Sequence, residues 1–264
     1  MNHYFLYRKA WRFEDAPHKE VRLNESDWMI LLKQGGLFVR NTFDFDRAEE
    51  SSFWFVINDS YEDIEKLASR VRNKIRHAQK AFNYCQIDLS LLKEKGYPIM
   101  AETFADYTST DRSMNETIFI DYISGTPFDY WGIFDKETTE LIGFCCVRLW
   151  DKCCEYDLSG IKTYFKHNAT YPYYGLYQTL NQYYLQKCQY KYVSDGSRSI
   201  TEHSGIHDFL IENFHFRRAY CQLEVHYCWW MKIAVNMLYP FRKIITLPRI
   251  KAILNMEAMQ RGEK

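Results

Sequence analysis

Leu141-Ile142-Gly143-Phe144-Cys145-Cys146-Val147-Arg148-Leu149-Trp150 is a run of apolar and β-branched residues. The tight turn Asp151-Lys152 delivers it into Cys153-Cys154-Glu155-Tyr156-Asp157-Leu158-Ser159-Gly160-Ile161. Both runs read as strands, and the two residues between them predict a hairpin. Upstream, Phe128-Asp129-Tyr130-Trp131-Gly132-Ile133-Phe134 runs into the turn Asp135-Lys136-Glu137-Thr138, which extends the hairpin to a three-strand meander. Downstream the texture alternates. Gly175-Leu176-Tyr177 opens a helix running to about Lys187, and Tyr190-Lys191-Tyr192-Val193-Ser194-Asp195 reads as a short buried strand. A helix over Ile206 to Asn213 and a strand over Ala219 to Tyr227 complete the series. Three antiparallel strands followed by helix, strand, helix, strand form an α+β pattern with few solutions.

The region before the meander is less regular. Ser26 to Lys33 reads as a helical turn stopped by Gly35-Gly36, and residues 37–43 and 53–57 read as strands. A helix is then expected, capped by Asn58, Asp59 or Ser60, with Glu62, Asp63 and Glu65 in its first turns. Its apolar stripe is Ile64, Leu67, Val71, Ile75, Ala78 and Phe82. Tyr84 to Leu89 reads as a strand, Ser90 to Gly96 as a short helix stopped by the glycine, and Ile99 to about Ser109 as a second helix. The organisation expected is an N-terminal extension over 1–110, a core over 111–227 and a C-terminal helical segment and tail over 228–264. Order is expected to fade from Met259 onward.

Composition narrows the function classes. Lys plus Arg and Asp plus Glu both number 34, so any phosphate or nucleic-acid contact must come from a local patch. The first residues lack a basic-then-apolar leader, and eight cysteines in a long, core-rich chain read as free thiols, so a cytoplasmic protein is expected. Cys145-Cys146 and Cys153-Cys154 are adjacent pairs on strands and point to opposite faces, which argues against a four-thiolate zinc site. His203 and His207 lie four apart but without the intervening glutamate of a metalloprotease helix, so no metal is assigned. The stretch Cys228 to Tyr239 is too short to span a bilayer and is followed by Arg242, Lys243, Arg249 and Lys251. A helix packed on its own domain and peripheral membrane contact through 228–251 are both compatible with it.

Three stretches carry a family resemblance. Arg72-Asn73-Lys74-Ile75-Arg76-His77-Ala78-Gln79-Lys80 fits a basic-helix pattern Arg-x-x-x-Arg-x-Ala-x-Lys. Leu141-Ile142-Gly143-Phe144 supplies a strand turn. Tyr190 to Gly196 is followed by a helix and by Asn213-Phe214-His215-Phe216-Arg217-Arg218. In their order these resemble the GNAT acyltransferase superfold, and within it the FemABX-like branch related to the peptidoglycan-bridge aminoacyltransferases. The resemblance covers roughly residues 53 to 227. It implies a GNAT-like mixed, mostly antiparallel sheet flanked by helices, with a partial N-terminal α/β extension and a C-terminal helical segment. The usual acyl-CoA pyrophosphate loop is reduced here to Tyr171-Pro172-Tyr173-Tyr174-Gly175-Leu176, with a single glycine.

The resemblance also implies where chemistry would sit: at the splay between the fourth and fifth strands of the core. Glu155 and Asp157, two apart on one strand face, are base candidates there, and Asp195 of the Asp195-Gly196 turn is a further catalytic candidate that with Arg198 would hold an acceptor or a phosphate. Tyr220, at the start of the last strand, is a leaving-group acid candidate. Ile161, Tyr174, Gly175 and Leu176 would hold the donor. Arg72, Arg76, Lys80 and Arg198 would hold a phosphate-bearing acceptor or a tRNA backbone. The expected donor is an acyl-CoA or an aminoacyl-tRNA acting as substrate, with no permanently bound cofactor. The acceptor would be a small or nucleotide-linked molecule, such as a cell-envelope or polysaccharide precursor. The competing reading is a non-catalytic module that keeps the fold and binds a partner.

Overall fold

The computed structural model describes residues 4–7, 9–105, 114–201 and 205–263. From the N-terminus come β1 (Tyr4–Tyr7), β2 (Ala10–Phe13), α1 (Glu25–Lys33), β3 (Phe38–Arg47) and β4 (Phe53–Asn58). Then follow α2 (Ser69–Ala81), β5 (Phe82–Ile87), α3 (Leu89–Ala105) and α4 (Glu116–Gly125). The meander is β6 (Phe128–Asp135), β7 (Leu141–Trp150) and β8 (Cys153–Ile161). Beyond it lie α5 (Thr163–His167), α6 (Pro172–Asn181), β9 (Tyr192–Ser197), α7 (Gly205–Phe214) and β10 (Arg217–Tyr227). Two helices, α8 (Trp229–Leu238) and α9 (Pro248–Gln260), end the chain.

These elements form two compact units. The first holds Met1–Val56, Ser197–Gly205 and Arg217–Lys264, and the second Ile57–Gly196 and Ile206–Phe216. In the first, the strand order is β1-β2-β3-β10-β4. β3 runs antiparallel to β10, from Arg47 opposite Tyr220 to Phe38 opposite Tyr227. β10 alternates strictly, burying Ala219, Cys221, Leu223, Val225 and Tyr227, which is the period of a sheet covered on one face. Met231 and Val235 of α8 and Leu254, Met256 and Met259 of α9 supply that cover. α9 therefore carries order through Gln260, past the point where the sequence suggests that it fades.

In the second unit the strand order is β9-β8-β7-β6-β5. β5 to β8 are antiparallel neighbours, and β8 and β9 are parallel. β7 is buried continuously from Leu141 to Val147, as befits a strand covered on both faces. α3 and α4 pack Leu92, Ile99, Met100, Phe119 and Ile123 against Leu141, Phe144 and Cys146. All eight cysteines are free thiols, and burial pushes those of Cys145, Cys146 and Cys154 well up.

Two local expectations are corrected. The basic helix starts at Ser69, not at Asn58–Ser60. The acidic residues before it belong to a separate 3-10 turn over Ile64–Lys66, bounded by extended backbone at Asp63 and Leu67. α3 is one helix running through Gly96 and Pro98. Gly96 is a close-packing position: a Cβ there would lie 2.9 Å from the Phe119 ring and 2.7 Å from Leu92 Cδ1. The buried stripe Leu92, Gly96, Ile99, Met100, Thr103 continues across the proline, and that burial outweighs the one backbone hydrogen bond it removes.

Candidate active site

The site is built at the place where β8 and β9 part. The two strands pair over three positions only, Cys153 with Tyr192, Cys154 with Val193 and Glu155 with Ser194. β8 then stays with β7 as far as Ile161 opposite Gly143, while β9 ends at Ser197. Two features drive the strands apart. Asp157 is a bulge residue on β8, because Val147 pairs with Tyr156 and Cys146 with Leu158. The buried rings of Tyr156 and Tyr177, 5.6 Å apart, fill the space beside the bulge, and Tyr156 Oη donates to Asn181 Oδ1 at 2.8 Å. Past Glu155, β9 does not take up the hydrogen-bonding edge that β8 turns toward it.

Asp195 sits at this fork. Its side chain is 8% exposed and its Oδ2 lies 3.6 Å from His207 Nε2. The same Nε2 is 3.2 Å from the Asp195 carbonyl oxygen. A carbonyl only accepts, so His207 carries its proton on Nε2 in this contact. Burial, and then the negative charge of Glu155, push the Asp195 carboxyl well above the usual carboxylate range. Gly196 follows at φ +83, with the Glu155 carboxyl 3.8 Å from where a Cβ would stand. Gly196 N–H donates to Ser194 Oγ at 3.0 Å, which fixes the turn that presents Asp195. Two carboxyls and an imidazole thus meet in a half-buried setting where one carboxyl keeps its proton longer than usual.

Asp157 is placed differently. Its Oδ2 accepts from Arg148 Nε at 2.8 Å, and its other oxygen accepts from Tyr122 Oη. Arg148 also donates to Tyr122 Oη at 3.0 Å and lies over the Phe128 ring. The bulge breaks the alternation that the sequence uses to set Glu155 and Asp157 on one face. Glu155 faces Asp195, and Asp157 is engaged with Arg148 and Tyr122.

At the first turn of α6, Tyr84 occupies the space in front of Gly175: its Oη would lie 2.2 Å from a Cβ there. Tyr84 Oη donates to the Pro172 carbonyl at 3.1 Å. Tyr174 and Leu176 are buried in the same turn. Lys74 of α2 reaches this point, with Nζ 4.7 Å from the Tyr174 ring centre, 5.0 Å from that of Tyr171 and 3.1 Å from Tyr174 Oη. Ile161 is buried at the end of β8, and its N–H donates to Thr103 Oγ1 at 3.0 Å.

The basic stripe of α2 is partly occupied within the protein. Arg72 donates to the Glu65 carbonyl at 2.9 Å, tying the 3-10 turn to the helix. Arg76 pairs with the Glu65 carboxylate, and Lys80 is exposed. In the other unit, Arg198 lies 4.3 Å and Arg218 4.7 Å above the Trp54 ring, and Tyr220 meets the same ring edge-on. Arg198 also donates to the Ser52 carbonyl at 2.6 Å, and burial, then Arg218, lowers its pKa.

In the sequence His207 is weighed only as a metal ligand, and Lys74 is not singled out. His207 stands twelve residues from Asp195, and the turn of chain that joins them has no periodic signal. Lys74 sits inside the quoted basic pattern but points off its four-residue stripe. His203 lies outside the described residues.

A three-strand antiparallel meander, a parallel strand that splays from it, and a helix opening at the splay define a GNAT/FemABX-like fold. Particular solved structures share it. The crystal structure of FemX matches at a TM-score of 0.56 and 9% identity, over 80% of this chain and 79% of that one. L-PGS from Bacillus licheniformis matches at 0.52 and 12% identity, over 91% and 84%. The C-terminal domain (DUF2156) of a putative lysylphosphatidylglycerol synthetase from Agrobacterium fabrum matches at 0.51 and 12% identity, over 88% and 82%. No family model and no curated protein matches the chain.

Proposed function

We propose that this chain is an acyltransferase that moves an acyl or aminoacyl group onto an amine or hydroxyl at the fork between β8 and β9. The observation that carries the reading is Asp195: a buried carboxyl beside Glu155 and His207, with its pKa pushed up, at the point where the strands part. A base with a raised pKa takes a proton more readily than an ordinary carboxylate does. In the reaction the acceptor nitrogen or oxygen attacks the donor carbonyl and gives its proton to Asp195. The new C–N or C–O bond forms as the donor's C–S or C–O bond breaks, and the proton passes on to the leaving thiol or hydroxyl. Backbone N–H groups of β8 on the edge that β9 leaves are suited to the developing oxyanion. His207 holds Asp195 in place through the contact to its carbonyl.

The donor is an acyl-CoA or aminoacyl-tRNA, bound as a substrate. The acceptor is a small or nucleotide-linked molecule of the kind used in cell-envelope or polysaccharide building, held by the basic residue Lys80. Lys74 extends the donor set at α6 beside Tyr174, Leu176 and Ile161. One observation favours the second reading, a binding module without catalysis: Tyr84 fills the space before Gly175, so the first turn of α6 offers a phosphate less room than an open glycine loop does.

The test is transfer with acetyl-CoA, longer acyl-CoAs and charged tRNA, followed by mass spectrometry of amine acceptors. Asp195→Asn is expected to lower kcat by about 10²–10⁴-fold while leaving the donor KM in place. A donor at a hundred times its Kd adds about 2.7 kcal/mol of stability. No transfer and no thermal shift with any donor would favour the binding module.

A further inference from the structure

Helix α8 has two unlike faces. Met231 and Val235 pack into the core of their unit, and Tyr239, just beyond the helix, joins them. On the other face Trp229 (77% exposed), Ile233 and Met237 (68% exposed) recur every four residues, with Trp230 beside them. The chain that follows continues the pattern with exposed Phe241, Ile244 and Leu247. Single exposed apolar residues are ordinary on a protein surface, but a helical stripe with two tryptophans that runs on into its loop marks an interaction surface.

Charge identifies what covers it. From Cys228 to Met256 the chain has no Asp or Glu, yet it carries Lys232, Arg242, Lys243, Arg249 and Lys251, although acids and bases balance over the whole sequence. Lys232, Lys243 and Arg249 are exposed. The nearest acids downstream are engaged: Glu257 pairs with Arg261, and Glu263 with Arg242. Among the described residues no helix is long and apolar enough to cross a membrane, and ten residues of α8 reach only about 15 Å. Apolar rings and aliphatic tips on one face, flanked by long basic side chains without acids, match the boundary between acyl chains and anionic headgroups.

We infer that the open face of α8 and the segment over 239–251 that follows it form a peripheral docking surface for an anionic lipid membrane. Trp229, Ile233 and Met237 enter the acyl boundary, and Lys232, Lys243 and Arg249 meet lipid phosphates. This surface is independent of the acyltransferase reading, and its test reads binding alone.

The experiment is sedimentation of the full chain with phosphatidylcholine vesicles and with vesicles containing about one third phosphatidylglycerol. The protein is expected to pellet with the anionic vesicles and to be released by salt. Trp229→Ser/Ile233→Ser/Met237→Ser changes only exposed positions, so its melting temperature should match the parent while its partitioning falls at least about tenfold. Lys243→Gln/Arg249→Gln should also fall by about tenfold or more, at roughly fivefold per charge, and lose part of its salt dependence. Absence of pelleting with either vesicle overturns the inference, as does a triple variant that binds like the parent. A parent that ignores vesicles but self-associates, and a triple variant that is monomeric, would assign the face to a second copy of the chain.

Discussion

Asp157 and Asp195 are two aspartates of the same unit with largely covered side chains, on the strands either side of one fork, and they sit in opposite electrostatic settings. Asp157 has a guanidinium and a phenol: Arg148 Nε at 2.8 Å and the Tyr122 hydroxyl. Asp195 has a like charge for a neighbour, Glu155, and an imidazole 3.6 Å away. Burial disfavours the anion at Asp195, and among the described residues no cation or hydroxyl donor of the kind that holds Asp157 stands beside it there. The difference separates a carboxylate tied to a guanidinium and a phenol from one set beside a like charge.

The largest expected effect attacks the first side of that contrast. Arg148→Ala would strand the Asp157 charge, which is 11% exposed, and cost about 3–5 kcal/mol in urea unfolding. The double change Arg148→Met/Asp157→Leu should recover most of the loss, because an apolar pair needs no compensation there. If the single change costs under about 1 kcal/mol, the pair is solvated and the contrast fails. Tyr122→Phe comes next, at about 1.5–3 kcal/mol, the scale of one hydrogen bond to a charged group. Burial, then Asp157, raises the Tyr122 pKa, so the phenol stays a donor and the loss should not vary across neutral pH.

The second side predicts a change of opposite sign. Asp195 has a folded pKa above its unfolded value of about 3.9. Below that value both states are protonated and the residue costs nothing. As pH rises the unfolded chain ionises first, so stability is lost progressively until the folded pKa is passed. Asp195→Asn should therefore be more stable than the parent at pH 7, by on the order of 1 kcal/mol, the scale of a poorly compensated buried polar group. The gain should vanish in melts below about pH 4. A variant less stable than the parent at pH 7 would mean that His207 makes a net favourable ion pair with Asp195.

Much of the fold is legible in the chain, and much of the contrast is not. The meander β6–β8 can be read because Asp135 to Thr138 and Asp151-Lys152 are turn chemistry between runs of strand formers. The single helix α3 is hidden because Gly96 reads as a stop, and only the close approach of Leu92 and Phe119 explains the glycine. α4, started by the Asn115 side chain, has a cap signal that the preceding polar stretch obscures. The site is harder still. A bulge at Asp157 leaves no mark in a period of two, yet it decides that Glu155 and Asp157 have different partners. The meeting of Glu155 with Asp195 follows from a pairing register of three residues, and His207 arrives through tertiary packing.

The smallest expected effect is also the sharpest probe of the fork. Glu155→Gln removes the like charge beside Asp195 but leaves the burial that is the larger cause of its raised pKa. The Asp195 pKa should therefore fall without returning to the ordinary carboxylate range. In a pH–rate profile the acidic limb, where the base gains its proton, should move to lower pH while the plateau rate changes little. In stability the same change should shrink the advantage that Asp195→Asn gains at pH 7, because the parent carboxylate is then less penalised. The two readouts must move together, since one ionisation drives both. A limb that shifts without the stability change would place the titrating base elsewhere, and Asp195 would then be a buried group of the fold like Asp157.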